Sequence, residues 1–310
     1  MKVSLVIPLF NEEYSINTLY EEIIQSINHD YEIIFIDDGS TDQSSEVIKE
    51  IARQNPNVKL IKFRRNFGKS AALNTGFKYA SGDIIITLDA DLQDDPKEIP
   101  RFLEKLKAGW DLVCGWKTDR KDPLSKTLPS KFFNFISSLV FQCLLHDYNC
   151  GFKAYQRHVI REIDIYGEMH RYIPALALAK GFKVTEIPIG HRKRKFGKSK
   201  YGKERYVRGF LDLLTVKLVT QYIKSPLYLF GGLGTLLSGT GIIIALYLSM
   251  LKILGIIYLT NRPLLFLAIL LIIVGLQFIS IGLMGELLVY QARKFQKDEF
   301  ISIIEKINLA

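Results

Sequence analysis

Cysteine is scarce in this 310-residue chain. Cys114, Cys143 and Cys150 stand at spacings that fit neither a disulfide framework nor a Cys-x-x-Cys zinc site, and a reducing compartment is the simplest reading. No histidine pair or cysteine cluster offers a transition-metal site. No Gly-x-Gly-x-x-Gly follows the first apolar run, which argues against a dinucleotide site, and no Gly-x-Ser-x-Gly elbow marks a hydrolase. Gly68-Lys69-Ser70 and Gly197-Lys198-Ser199 look like the end of a phosphate-binding P-loop, but the earlier glycine that the loop needs is Phe63 in one case and Arg192 in the other. Internal repeats and low-complexity linkers are also absent. Pro8 and Asn11 cut the N-terminal apolar run before a signal-peptide core forms, so that run reads as a buried strand.

What is present is an ordinary globular mixture, 48% hydrophobic and 24% charged, which excludes disorder, collagen and coiled coil as the main architecture. The mean hydropathy is nevertheless positive, so apolar residues are concentrated somewhere. They lie in the C-terminal third. Leu227 to Leu251 and Leu264 to Gly285 are charge-free runs of 25 and 22 residues, each long enough for about 30 Å of hydrocarbon. Both read as transmembrane helices. Only Lys252 and Arg262 charge the intervening hairpin, whereas Arg293, Lys294 and Lys297 follow the second run and a basic stretch precedes the first. The positive-inside rule then puts both flanking segments in the cytoplasm. That basic stretch, His191 to Arg208, carries nine Lys or Arg against Glu204, a local +8 in a chain of net +9. Beside a bilayer each such residue contributes about 1 kcal/mol toward an anionic surface. Membrane proximity already explains the patch and no nucleic-acid module is legible, so no nucleic-acid partner is expected.

Upstream, residues 1 to about 115 alternate apolar runs with helical patterns. Val3 to Ile7, Glu32 to Ile36, Val58 to Phe63, Asp83 to Leu88 and Asp111 to Cys114 read as buried strands; Ile16 to Ile27, Ser44 to Ala52, Ala71 to Ala80 and Ile99 to Leu106 read as helices. Strict alternation predicts an α/β domain with a parallel sheet covered on both faces, its ligands beyond the carboxyl ends of the strands. The polar residues fall there. Pro8 to Glu12, Asp37 to Asp42 and Asp89 to Asp94 leave three strand ends and converge on one acidic crevice. Asp37 to Asp42 alone would equally suit a turn with a helix cap. Asp89 and Asp91 lie two apart, so an extended chain points both carboxylates to one side. A hard divalent cation is the natural neutraliser, and magnesium uses one or two carboxylates plus substrate phosphates.

These residues carry a resemblance. The blocks Val6-Ile7-Pro8-Leu9-Phe10-Asn11-Glu12, Asp37 to Asp42, Arg65-Asn66-Phe67-Gly68-Lys69, Asp89 to Pro96, Asn149-Cys150-Gly151-Phe152-Lys153 and Arg194 to Tyr201 resemble, in order, those of polyprenyl-phosphate glycosyltransferases of family 2. That group includes dolichol-phosphate mannose synthases and undecaprenyl-phosphate glucosyltransferases. The resemblance implies a GT-A (Rossmann-like), mostly parallel sheet domain followed by two transmembrane helices. It implies a nucleotide pocket at Pro8, Glu12 and Asp38, with Gly68, Lys69 and Asp89 also on the donor, and Mg2+ or Mn2+ on Asp89, Asp91 and Gln93. It points to Arg194, Ser199 and Lys200 as phosphate contacts. The Gln-x-x-Arg-Trp block of processive relatives is missing, which favours transfer of one sugar.

The expected organisation is a cytoplasmic catalytic domain over 1–205, a juxtamembrane basic segment over 206–226, a transmembrane hairpin over 227–290 and a cytoplasmic tail over 291–310. A bacterial inner membrane suits it. The expected reaction moves one hexose, glucose from UDP-glucose foremost, to undecaprenyl phosphate, with GDP-mannose or a UDP-aminosugar as the alternative donors and a non-catalytic tethered protein as the alternative class. The acceptor phosphate is already anionic, its second pKa being about 6, so no strong base is required. Cations must instead admit a second anion into the crevice. Arg120, Lys131, Arg194 and Lys200 are the candidates, with Asp94 and Asp147 as catalytic helpers, either base or orienting group. Phe132 to Val140 and Phe295 to Leu309 carry apolar residues at helical spacing, the first suited to the bilayer interface or to an ordinary core. A homo-oligomer through the tail is expected by family analogy alone.

Overall fold

The computed structural model describes residues 1–118, 145–192, 225–256, 258 and 262–295. Phe132 to Val140, the basic stretch from Lys193 onward, the tail beyond Phe295, and Arg120, Lys131, Arg194, Ser199 and Lys200 lie outside the described residues. The chain divides into two compact units, Met1–Val216 and Lys217–Ala310.

In the first unit the elements run β1 (Lys2–Leu9), α1 (Ile16–Ser26), β2 (Asp30–Asp37), α2 (Ser44–Gln54), β3 (Val58–Lys62), α3 (Lys69–Tyr79), β4 (Ile84–Thr87), α4 (Ile99–Lys107), β5 (Leu112–Lys117), β6 (Lys153–Gln156), α5 (Arg157–Glu162), α6 (Ile173–Ala179) and β7 (Val184–Ile189). β1, β2 and β4 are buried along consecutive residues, as strands covered on both faces must be. α1 buries Ile16, Leu19 and Ile23, and α4 buries Ile99, Phe102, Leu103 and Leu106, the i, i+3, i+4 stripes that face a sheet. The seven strands lie in the order β3-β2-β1-β4-β6-β5-β7. The order reverses between β1 and β4, which opens a crevice at their carboxyl ends.

All pairings are parallel except those of β6, which runs antiparallel to both β4 and β5. The mostly parallel sheet that was expected is what the structure has, with β6 as its antiparallel member. β6 and β7 escaped the apolar-run criterion for different reasons. β6 is a four-residue segment, Lys-Ala-Tyr-Gln, and β7 carries Thr185, Glu186 and Pro188 between its apolar residues.

One buried carboxylate ties the opposite rim of this sheet. Glu32 on β2 accepts hydrogen bonds from Ser4 Oγ (2.5 Å), Ser81 N (2.6 Å), Ser81 Oγ (2.9 Å) and Lys59 Nζ (2.7 Å). Lys2 Nζ stands 3.3 Å away. Burial opposes ionisation, yet these donors hold the Glu32 pKa down at about 2. A depressed carboxylate stabilises the fold above its unfolded pKa and loses that contribution as pH falls through the folded value. Glu32→Gln is accordingly expected to lower thermal stability at neutral pH, by about 1–2 kcal/mol after screening of the two partly exposed lysines. It should also flatten the loss of stability between pH 4.5 and 2; an unchanged acid limb in a thermal melt would contradict this.

The second unit is a helical hairpin of α7 (Pro226–Ile253) and α8 (Pro263–Phe295). Both helices are long and apolar enough to cross a membrane. Leu236, Ile243, Phe266 and Leu288 are among many large apolar side chains that stay more than 60% exposed, unlike those of a water-soluble core. The second helix continues past the charge-free run, through Glu286, whose carboxylate accepts from Leu227 N at 3.5 Å. Small residues let the two backbones meet. A Cβ on Gly275 would stand 2.6 Å from both Gly234 O and Ser238 N, and one on Gly241 would stand 2.7 Å from Ala268 O. Gly232 and Gly239 face open space on the same helix. Gly275→Leu should thus lower the midpoint of unfolding in a detergent titration, while Gly239→Leu should leave it near wild type.

Candidate active site

The loops that leave β1 and β2 are bonded to one another. Asn11, at φ +53°, donates its N–H to Ser40 Oγ (2.9 Å) and accepts from Thr41 N at Oδ1 (2.8 Å). Glu12 N donates to Ser44 Oγ at 2.9 Å. Pro8, half-buried within β1 opposite Ile36, precedes this junction. The two adjacent aspartates of the second loop separate in role. Asp37 is fully buried and accepts from Ser40 N (2.7 Å) and Ser45 Oγ, so it closes the turn into α2. Asp38 instead accepts from Phe67 N (2.7 Å) and Gly68 N (2.9 Å) and holds the loop that leads into α3. Burial raises the Asp38 pKa, helped by Asp37 and opposed by those two N–H groups.

At the third strand end β4 stops at Thr87, and Ala90 and Asp91 form a turn. The extended-chain alternation expected to align Asp89 with Asp91 therefore does not operate. Other contacts place the two carboxylates. Lys69 Nζ lies 2.5 Å from Asp89 Oδ1. On its other side Asp89 meets bare backbone: a Cβ on Gly151 would stand 2.5 Å from Oδ1 and 2.6 Å from Oδ2. Thr87 Oγ1 fixes that approach by donating to Gly151 O at 2.7 Å. Asp91 Oδ1 accepts from Gln93 N at 3.2 Å, across Leu92 at φ +60°. A non-glycine residue there costs of order 1–3 kcal/mol and persists only where the surroundings impose it. Among the described residues no cluster of three or more His, Cys, Asp or Glu is arranged to hold an ion by itself. Two carboxylates and the Gln93 amide oxygen nevertheless suit a cation that takes its remaining ligands from substrate phosphates and water.

The crevice is not simply acidic. Lys117, at the end of β5, pairs with the fully buried Asp94 at 2.7 Å. Burial alone would lower the Lys117 pKa, but Asp94, with Asp89 nearby, raises it well above the ordinary value and keeps the ammonium charged. Lys153, at the start of β6 and 3% exposed, donates to Cys150 O and stands 3.5 Å from Tyr148 O. Burial works to raise the Asp89 pKa too; Lys69 foremost, then Lys117 and Lys153, outweigh it and lower the pKa. Asp147 is buried and accepts from Asn149 N at 3.1 Å, in the turn that delivers Gly151 to Asp89.

The structure thus brings Asp38, Gly68, Lys69, Asp89, Asp94 and Asp147 into linked contacts around the ends of β2, β4, β5 and β6. Lys117, Lys153 and the close approach of Gly151 were not assigned roles from the sequence. The only sign of Lys117 is a charge at the end of an apolar strand, and Gly151 and Lys153 sat in a recognised block without a stated function. Ser70 enters the sequence reading only in a rejected P-loop match, and His170 not at all. Ser70 Oγ lies 3.0 Å from His170 Nδ1 and accepts from His170 N at 3.1 Å, which fastens the first turn of α3 beside Lys69. The close approach of Gly151 to Asp89 gives a test: Gly151→Ala should reduce metal-dependent activity by on the order of 10²-fold while the protein still folds. An active variant with an unchanged metal requirement would show that Asp89 has room to spare.

Comparison with known proteins adds the following. The model of the family described as glycosyl transferase family 2 matches residues 4–164. The chain is 36% identical over 307 residues to a dodecaprenyl-phosphate galacturonate synthase from Rhizobium johnstonii, covering 96% of this chain and 90% of the relative. It is 36% identical over 290 residues to an undecaprenyl-phosphate 4-deoxy-4-formamido-L-arabinose transferase from Photorhabdus laumondii, covering 92% and 88%. In fold it is similar to glucosyl-3-phosphoglycerate synthase from Mycobacterium tuberculosis, solved in complex with Mn2+, UDP and phosphoglyceric acid. The TM-score is 0.55 at 19% identity, over 70% of this chain and 78% of that one.

Proposed function

Because the chain belongs to glycosyltransferase family 2, we propose that it transfers a single sugar from a nucleotide sugar to a polyprenyl phosphate at the cytoplasmic face of a bacterial inner membrane. The names of both relatives support the acceptor class. Those names carry galacturonate and formamidoarabinose, so the glucose expected from the sequence is one donor sugar among several. The observation that carries the reading is the pair Asp89 and Asp91 at the end of β4, too few ligands to hold an ion alone and suited to one that a diphosphate helps to bind.

The residues divide the work. Asp89, Asp91 and Gln93 would hold Mg2+ or Mn2+, which would supply charge neutralisation to the departing nucleoside diphosphate. Lys69, already against Asp89, is within reach of the same diphosphate. Asp38 holds the Phe67–Gly68 backbone, and with Pro8 near the end of β1 and Glu12 on the loop after it would line the nucleotide site. Asp94 is fully buried and ion-paired, which suits an orienting group that fixes Lys117 better than a base exposed to the acceptor. Asp147 plays the corresponding part for the turn before Gly151. The acceptor phosphate attacks as an anion, so positioning and countercharge suffice. Arg120, Lys131, Arg194, Ser199 and Lys200 are proposed to supply that countercharge.

A prenyl chain leaves the bilayer only at a cost of about 0.8 kcal/mol per exposed CH₂, so its phosphate stays among the headgroups. The proposed hairpin of 227–290 anchors a catalytic domain of 1–205 there, with the basic segment of 206–226 and the tail of 291–310 on the cytoplasmic side. Incubating membranes with labelled UDP-glucose, UDP-galacturonate, UDP-formamidoarabinose and GDP-mannose plus undecaprenyl phosphate, then extracting lipid, tests the reaction. One labelled lipid product is expected from wild type, and Asp91→Ala should lose it by on the order of 10²-fold or more while keeping membrane insertion. Nucleotide binding without transfer from any donor would favour a non-catalytic protein.

A further inference from the structure

We propose that Arg192 is a positioning residue that locks the metal loop, residues 91–95, into its working shape; this rests on the transferase reading. Arg192 follows β7 by three residues and reaches that loop twice. Its N–H donates to Gln93 O at 2.9 Å. Its guanidinium bridges two carboxylates from different elements: Nη1 contacts both oxygens of Glu22 on α1 (2.9 and 2.7 Å), and Nη2 stands 2.6 Å from Asp95 Oδ2. Asp95 also caps the helical turn that follows, accepting from Lys97 N at Oδ1 (3.0 Å). A planar fork with several donors can make these contacts together, whereas a lysine ammonium is a single point charge.

The location of these anchors is what gives them a role in the reaction. Leu92, at φ +60°, lies between Asp91 and Gln93, the two proposed metal ligands of this loop. Such a residue needs neighbours that hold its backbone. Downstream of Leu92 the loop is fixed at Asp94 by Lys117 and, on either side of it, at the Gln93 carbonyl and the Asp95 carboxylate, both of which Arg192 grips. The guanidinium charge is compensated locally by Glu22 and Asp95.

The test uses the full chain in detergent. Arg192→Gln should speed amide hydrogen exchange of residues 91–97 at least tenfold and leave β1, β2 and α2 near wild type. The apparent KM for Mn2+ in transfer should rise about tenfold with a smaller change in kcat. Arg192→Lys should fall between, and Glu22→Gln, which leaves the Asp95 pair, should have a lesser effect. Unchanged exchange at 91–97 would overturn the proposal, and so would faster exchange spread evenly through the unit, the mark of a purely structural contact. If wild type transfers no sugar, the transferase reading fails, while exchange still decides whether Arg192 fixes the loop.

Discussion

Opposite charges alternate where the carboxyl ends of β4 and β5 meet the amino end of the antiparallel β6, and the rest of the catalytic unit depends on that alternation. Asp89 faces Lys69, Asp94 faces Lys117, and Lys153 sits on the carbonyls of the turn that presses Gly151 against Asp89. Carboxylates packed this closely without cations would repel and take up protons. Cations without carboxylates would bind any phosphate indiscriminately. The interleaved arrangement sets a cation against the carboxylates of Asp89 and Asp94.

Much of the framework was legible in the sequence. The strands β1 to β5 and helices α1 to α4 emerge within a few residues of their expected bounds, because doubly covered strands are continuous apolar runs and the helices between them keep a narrow buried stripe. What was not legible is long-range. The antiparallel insertion of β6 between β4 and β5 has no local signal, since four residues with a lysine at one end look like a loop. The same insertion brings Lys153 and Gly151 to Asp89, so the omission of the strand and the omission of the site residues have one cause. The expected alignment of Asp89 and Asp91 by an extended chain is not what the structure has: a turn at Ala90 and Asp91 sets their relative placement.

The C-terminal hairpin follows a different rule from the sheet. Its large apolar residues face outward, and glycines and serines line the seam between the two helices. In hydrocarbon there is little to gain from burying leucine, so close backbone approach holds the pair together. The sheet unit instead buries its branched side chains and spends polar residues at the strand ends. The sheet unit and the apolar hairpin thus occupy separate parts of the chain, joined in sequence by a segment that includes the basic stretch His191 to Arg208.

The central claim is that the end of β4 takes up a divalent cation together with a nucleoside diphosphate. Electron paramagnetic resonance of Mn2+ titrated into the full chain, with UDP or GDP present, addresses it most directly. The account predicts that wild type removes Mn2+ from solution in the presence of one of these nucleotides and that Asp89→Asn, with its fold intact, does not. Absence of uptake with either nucleotide, or uptake undiminished in Asp89→Asn, would contradict it.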